Sequence, residues 1–549
     1  MTANTTARKN FLQSGDKMFL VYITFAAAFL GVQMFQGLSY LDIGMYMSGY
    51  RHFTEDPYAS YFLGQWLLTY DLTSAICRLF SINSFLGIRM IHLVYVLLSQ
   101  TIVFLYLRRS IPAKAIIAGL LFATLAHYGS YTEITYNDYS ALLLLLSIIS
   151  FHHGAERNKA FFILLSGTIA GAAVFFRIVN ITYIGIPLLS LLVSLKWNIR
   201  MSPRRRIAFF YAGMAAGITL VIAVLHFQGL LGILSLTISD IAGISADGGD
   251  SHGMLHVMRS LYRLYSEVAG NAVFIALLWL MARQAIKLRC RTARMALLAT
   301  TALLSLLMMN FSYFPSNTAM AVCLIGSAAL FSAKENTSDS LAHLMMLSLY
   351  LPFVMPVGSN AEPSFYGKET CFLTLPLACH VLTHSAALRQ WLRPTKWMLA
   401  LTGGGLLLFN LAHKQMEDGN RIACRYTVDS PLTRHILITR ENADMYNHLI
   451  KELKPIVPRG SYMICQFSLP AVPILECKPW AVYSTVYSTD RMNDRYIDTA
   501  WEHTHRLPYL LLEEDSQFWG YDHILEKLNS IKRYHRVWTD GRYSLYYHE

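Results

Sequence analysis

Three residues near the start of the chain have the types and the spacing for chemistry. Asp42, Tyr46 and Tyr50 lie in SYLDIGMYMSGYR, residues 39–51, directly after the first apolar run. In a helix, positions i, i+4 and i+8 share one face, so the stretch predicts a carboxylate with two phenols on the same side. A carboxylate at a membrane boundary is costly unless solvated or paired, which makes Asp42 a functional candidate. What an ionised carboxylate can do there is accept a proton. The same residue can instead cap a helix beside interfacial aromatics, and the stretch alone leaves both readings open.

The elements that must position these residues are read from composition. Of 549 residues, 54% are hydrophobic and 15% charged, and the apolar residues come in long blocks, the mark of a polytopic helical membrane protein. The net charge of +12 does not point to nucleic acid. The basic residues gather in alternate short links: Arg108 and Arg109; Lys196, Arg200 and Arg204 to Arg206; Arg283 to Arg294; Arg389, Arg393 and Lys396. The intervening links are acidic or neutral, so the asymmetry is topogenic and sets the N-terminus in the cytoplasm. About thirteen spans are expected over residues 1–412, the first being a retained span from 18 to 38 rather than a cleaved signal. Residues 59–80 read as an in-plane interfacial helix, and so do residues 256–268. Short spans are expected at 139–151 and 271–285.

From residue 413 the composition becomes that of a soluble domain. Helices are expected at 442–453, 469–475 and 521–530, and strands at 461–466, 480–483 and 508–513. In the closing hairpin, Asp540-Gly541 marks the turn between two aromatic strands. This is a small α/β domain on the outer face, without a phosphate loop, a nucleophile elbow or a metal cluster. Cys465 and Cys477 fall where a disulfide could persist, although spacing alone does not establish one. His127, His252 and His256 with Asp247 and Asp250 form no recognisable ligand spacing, and no metal or other cofactor is assigned.

At YLDIGMY, QWLLTYDLTSAICRLFSINSFLGIRM, YNDYSALLLL and GTIAGAAVFFRIVNITYIGIPLL the chain resembles the C-class integral-membrane glycosyltransferases (the GT-C fold). The similar group is that of protein O-mannosyltransferases and lipid A aminoarabinose transferases. The resemblance covers the first 195 residues and, beyond them, only the layout. It implies transfer of a sugar from a polyprenyl-phosphate donor to a glycan, lipid or protein acceptor on the outer face of the plasma membrane. It matches Asp42 to the first acidic position, Asp138 to the second, Arg89 to an arginine at the second span and Arg177 to a basic position. In that scheme Asp42 is the base of a single inverting displacement. Arg177, with Arg89 and Lys368 behind it, stabilises the departing lipid phosphate. Asp138, or Glu133 in its place, orients the reactants, and Tyr46, Tyr50 and Asn180 support the acceptor. Asp138 can equally be the N-cap of the span that follows it. Two departures from the family pattern are a lone Asp at 42, where relatives carry an acidic pair, and Arg at 177, where Lys is common.

Two rival readings remain. A transporter or flippase of lipid-linked saccharides would place ionisable residues at the midplane of broken helices and show internal repeats. A sensor or assembly protein would use the C-terminal domain as its reader. A cavity joining Asp42, Asp138 and Arg177 favours the enzyme.

Overall fold

The structure is a computed structural model that describes residues 2–39, 42–126, 133–246, 254–308, 314–332, 338–355, 370–384, 404–405, 414–415, 418–465, 467–481, 490–514 and 521–548. It is mostly helical, with a small sheet near its C-terminal end. Among the described residues, four helices are long and apolar enough to cross a membrane: Ser14–Gln33, Phe85–Leu107, Pro203–Phe227 and Tyr265–Ala285. Shorter apolar helices pack between them.

The first helix, α1 (Thr2–Gln33), leads through residues 34–39 to α2 (Asp42–His52). The expected single helix over 59–80 is two elements: a 3-10 helix, Pro57–Trp66, and then α3 (Leu67–Leu79). Pro57 starts the first, and Ser60 inside it has non-helical backbone (φ −139°, ψ 39°). Ala59 to Gly64, Leu67 and Tyr70 are buried in protein, so this segment is not one helix laid along an interface. Next come α4 (Phe85–Leu107), α5 (Ala113–Leu125), α6 (Tyr136–Arg157) and α7 (Ala160–Ala173). At 22 residues α6 is longer than the span expected at 139–151. A second 3-10 helix, Ile178–Gly185, precedes α8 (Ile186–Val193) and α9 (Pro203–Phe227). Gly167 and Gly171 on α7 let it meet α9 backbone to backbone: a Cβ at 167 would lie 2.0 Å from the Phe210 carbonyl oxygen. Close approach of this kind is what small residues permit between apolar helices.

After α10 (Leu231–Ala246), the region expected as an interfacial helix and a separate short span is a single 34-residue helix, α11 (Met254–Lys287). At 1.5 Å per residue α11 runs about 50 Å. Next among the described residues come α12 (Arg291–Met308), α13 (Phe314–Ser332), α14 (Asp339–Ser348), α15 (Tyr350–Val354) and Thr374–His384. The span expected at 396–412 lies outside the described residues, apart from a helical pair at 404–405.

The C-terminal part holds a two-stranded ribbon, β1 (Lys414–Gln415) with β2 (Gly419–Asn420), and a five-stranded mixed sheet. The sheet contains β3 (Tyr462–Cys465), β4 (Lys478–Pro479), β5 (Tyr509–Glu513), β6 (Tyr534–Thr539) and β7 (Tyr543–His548), in the order β4-β3-β5-β7-β6. β3 runs parallel to β4 and β5, while β7 is antiparallel to β5 and β6. The hairpin turn is the expected one: Gly541 has φ +92°, and the Asp540 carboxylate accepts from Arg542 N and Tyr543 N. A helix not foreseen, Asp490–Thr504, buries Ile497 and Ala500. Cys465 and Cys477 are buried free thiols.

Candidate active site

The short link from α1 to α2 is gripped from two sides. On one side stands Arg89 of α4, buried to 2% exposure. Its Nε donates to Glu133 Oε1 at 2.5 Å, and its Nη atoms donate to the carbonyls of Met34 (2.6 Å), Gln36 (3.4 Å) and Gly37 (2.6 Å). A buried ion pair is tolerated when further hydrogen bonds satisfy its remaining donors, and these carbonyls do so. Arg89 is thereby a structural cation, and Glu133 is its counter-ion. These contacts turn both residues to the link before α2, where the resemblance implied a donor phosphate for Arg89 and an acceptor for Glu133.

On the other side stands the C-terminal domain. Gly37 N donates to Leu437 O and Leu437 N to Phe35 O, each at 2.8 Å. Leu38 N donates to Asp418 Oδ2 at 2.8 Å. The other oxygen, Oδ1, accepts from Thr439 Oγ1 at 2.7 Å and Asn442 Nδ2 at 2.5 Å. A buried carboxylate with this many donors is satisfied in full.

Asp42 is the first residue of α2; its side chain lies outside the described residues. The rest of the helix is packed tightly. At Gly44 an added Cβ would fall 2.1 Å from the carbonyl carbon of Leu469 and 2.2 Å from Pro470 N. The C-terminal domain thus lies directly on α2. Further along, Tyr46 and Tyr50 are both 1% exposed, with ring centroids 6.1 Å apart. The Tyr50 hydroxyl donates to Ile134 O at 2.6 Å, and its ring packs on Tyr70 at 5.4 Å. Tyr50 is therefore tied to the link before α6.

That link ends in a capping box. Thr135 is the N-cap of α6, and Asp138 Oδ2 accepts from Thr135 N (2.6 Å) and Thr135 Oγ1 (3.0 Å). The second oxygen of Asp138 is 3.3 Å from His92 Nδ1 on α4. With 0% exposure, Asp138 is the N3 partner of this box, and the N-cap place that the sequence offered it belongs to Thr135. Reciprocal caps of this kind satisfy two orphan donors at a helix start.

Arg177 follows α7. It is 4% exposed, and its Nη1 donates to Met355 O at 2.8 Å. Its guanidinium lies 5.8 Å from the centre of the Tyr136 ring, within cation–π range. Tyr136 is the meeting point of the cluster. Its ring is stacked on Trp66 (4.8 Å, 12°) and lies 6.1 Å from Tyr46 on α2. Trp66 and Tyr136 are both only partly buried, unlike Tyr46 and Tyr50. Asn180 is spent internally, with Nδ2 donating to Ser140 Oγ and Ala173 O at 2.8 Å each. Lys368 lies outside the described residues.

The structure therefore brings α2, Trp66, Tyr136 and Arg177 together, with Asp138 capping the helix beneath Tyr136. Arg259 and Arg263 stand exposed on α11, and Arg263 pairs with Glu267 at 3.0 Å. Sequence reasoning passed over Trp66, Tyr136, His92 and Asp418. The one available signal was that Tyr136 sits two residues before Asp138 at a predicted helix start.

No protein-family model matches the chain, and no curated protein does. Among solved structures, the chain is similar to two of the Archaeoglobus fulgidus oligosaccharyltransferase. One is its complex with zinc and sulfate: 12% identity, 90% of this chain, 68% of that one and a TM-score of 0.47. The other is tethered through a disulfide to an acceptor peptide containing the NVT sequon: 12% identity, 90% and 69% coverage and a TM-score of 0.45. A likeness at that level does not establish a shared fold.

Proposed function

We propose that the chain is a membrane glycosyltransferase that moves a sugar from a polyprenyl-phosphate donor to a glycan, lipid or protein acceptor. Asp42 is the base and Arg177 the cation that meets the departing phosphate. In this reading the N-terminus is cytoplasmic, about thirteen spans cross the plasma membrane, and the C-terminal domain lies on the outer face with the site. The observation that carries it is the convergence on Tyr136. Tyr46, one helical turn after Asp42, and Arg177 both reach this ring, at 6.1 Å and 5.8 Å, although 131 residues separate them in the chain. A helix that opens with a carboxylate and a buried guanidinium are the base and the phosphate stabiliser that an inverting displacement requires. Trp66 and Tyr136 add a partly open aromatic wall between them. Arg89, Glu133 and Asp138 belong to the frame.

The test is sugar transfer from a polyprenyl-phosphate donor by matched amounts of detergent-purified protein. Asp42→Asn keeps the shape and removes the basicity, so turnover is expected to fall roughly 10²–10⁴-fold. A capping Asp predicts near-equal turnover, because Asn caps as well as Asp. Equal turnover in wild type and Asp42→Asn rejects the assignment.

A further inference from the structure

Near the far end of α6, roughly 20–27 Å along the helix from Asp138, sits a second cluster that the proposed transfer reaction does not use. His152 and Glu156 are four residues apart on α6 and so project from one face. His343 of α14 faces them. One ligand-type atom from each of the three lies within 4.8 Å of the others. For any three points so spaced, a centre exists from which none is farther than about 2.8 Å, against metal–ligand distances of about 2.0–2.2 Å. Side-chain shifts of well under an ångström close that gap.

One acceptor atom on each of His343 and Glu156 lacks a close hydrogen-bond partner, although the Ser340 side chain also interacts with the Glu156 carboxylate. Nδ1 of His343, a residue with no exposure, and Oε1 of Glu156 have none among the described residues and stand 3.8 Å apart. The other nitrogen of His343, Nε2, is 2.9 Å from Ser190 Oγ. When Nε2–H donates to that hydroxyl, Nδ1 turns a lone pair towards the carboxylate. Two acceptors then face one another with nothing between them, an arrangement that burial penalises unless a positive species joins them. His152 brings the orientation that bound histidines need. Its Nε2 is 2.8 Å from the Ser340 carbonyl and its Nδ1 is 2.6 Å from the Tyr106 hydroxyl. A metal ion takes one of these positions, and the remaining hydrogen bond holds the ring. Arg206 is the opposing charge. Its Nη1 and Nη2 are engaged by the hydroxyls of Ser190 and Ser194 at 2.5 Å each.

We propose that His152, Glu156 and His343 bind one divalent transition-metal ion of the zinc type, which staples α6 to α14. Two imidazoles and one carboxylate are a donor set suited to zinc rather than to calcium or magnesium. The claim is independent of the proposed transfer reaction.

The test uses full-length protein purified in detergent, stripped with chelator and dialysed against micromolar zinc chloride. Mass spectrometry of the metal is expected to give about one zinc per chain in wild type and less than roughly a tenth of that in Glu156→Gln and His343→Ala. His153→Ala is the control, since that ring packs on Phe162 at 4.6 Å outside the cluster; it should keep the metal. Cobalt(II) added to stripped wild type should give the visible absorption of a tetrahedral site, a readout that needs no variant to fold. Wild type without zinc and without a cobalt spectrum overturns the proposal, leaving a proton or a water between Glu156 and His343. Zinc retained by folded Glu156→Gln and His343→Ala overturns it as well.

Discussion

At the scale of single residues, Arg89 and Arg177 separate two uses of a buried guanidinium. Arg89 holds one carboxylate and three carbonyls, so its removal takes the cation away from Glu133 and loosens the link that leads into α2. Breaking a buried pair by deleting one partner typically costs about 3–5 kcal/mol. Arg89→Ala is expected to lower thermal stability in detergent strongly, and Arg89→Met with Glu133→Leu to recover much of the loss because no charge is left alone. Arg177→Ala should lower the melting temperature somewhat, through the lost bond to Met355 O and the space it leaves, and should weaken donor use in the protein that remains folded. Arg177→Lys should restore only part of it, since a point charge does not reproduce the fork of the guanidinium. Donor kinetics and melting curves on the same four proteins check both halves. An Arg177→Ala protein with wild-type donor kinetics would remove Arg177 from the site.

At the scale of elements, α2 buries Tyr46 and Tyr50 and at Gly44 also meets main chain directly. A Cβ at Gly44 would meet Leu469 and Pro470 main-chain atoms at 2.1 and 2.2 Å, which cannot give way as the tip of a side chain can. Gly44→Ala is therefore expected to cost about 1–3 kcal/mol and to part α2 from the C-terminal domain. Limited proteolysis should release that domain faster than from wild type, and turnover should fall. Equal digestion rates would show that α2 does not depend on this contact. What the sequence revealed of these elements followed locality. The Asp540-Gly541 hairpin is written within four or five residues and is legible, whereas the cap before α6 is expected at Asp138 and is held by Thr135, three residues earlier. The sequence reading separates an interfacial helix at 256–268 from a span at 271–285, yet one helix runs through Gly270, with open space where a Cβ would be. The partners of Arg89, and the seat of α2 on Leu469 and Pro470, had no local signature. The residues that make those contacts are dozens to hundreds of positions apart, and several of the groups are main-chain atoms, which any sequence supplies.

At the scale of the whole molecule, Asp418 joins the C-terminal domain to the start of the chain. Burial raises its carboxyl above the ordinary value of 3.8, against the pull of hydrogen bonds from Thr439, Asn442 and Leu38. A carboxyl whose folded value is raised binds its proton more tightly in the folded state. Its contribution to stability is thus fully present below the ordinary value and is lost as pH rises through the raised one. Asp418→Asn cannot titrate. The melting temperature of wild type relative to Asp418→Asn is expected to fall as pH rises from about 4 to 7. A difference that is flat, or that grows with pH, would refute this account. The bond from Leu38 to Asp418 also sets a clock, because its acceptor is made 380 residues after its donor. At roughly 5–20 residues per second, a ribosome takes about 20–75 s to supply it. For that interval the loop that opens the site stands with one of its two grips missing. The seat of the link that leads into α2 is therefore complete only when synthesis has passed Asp418.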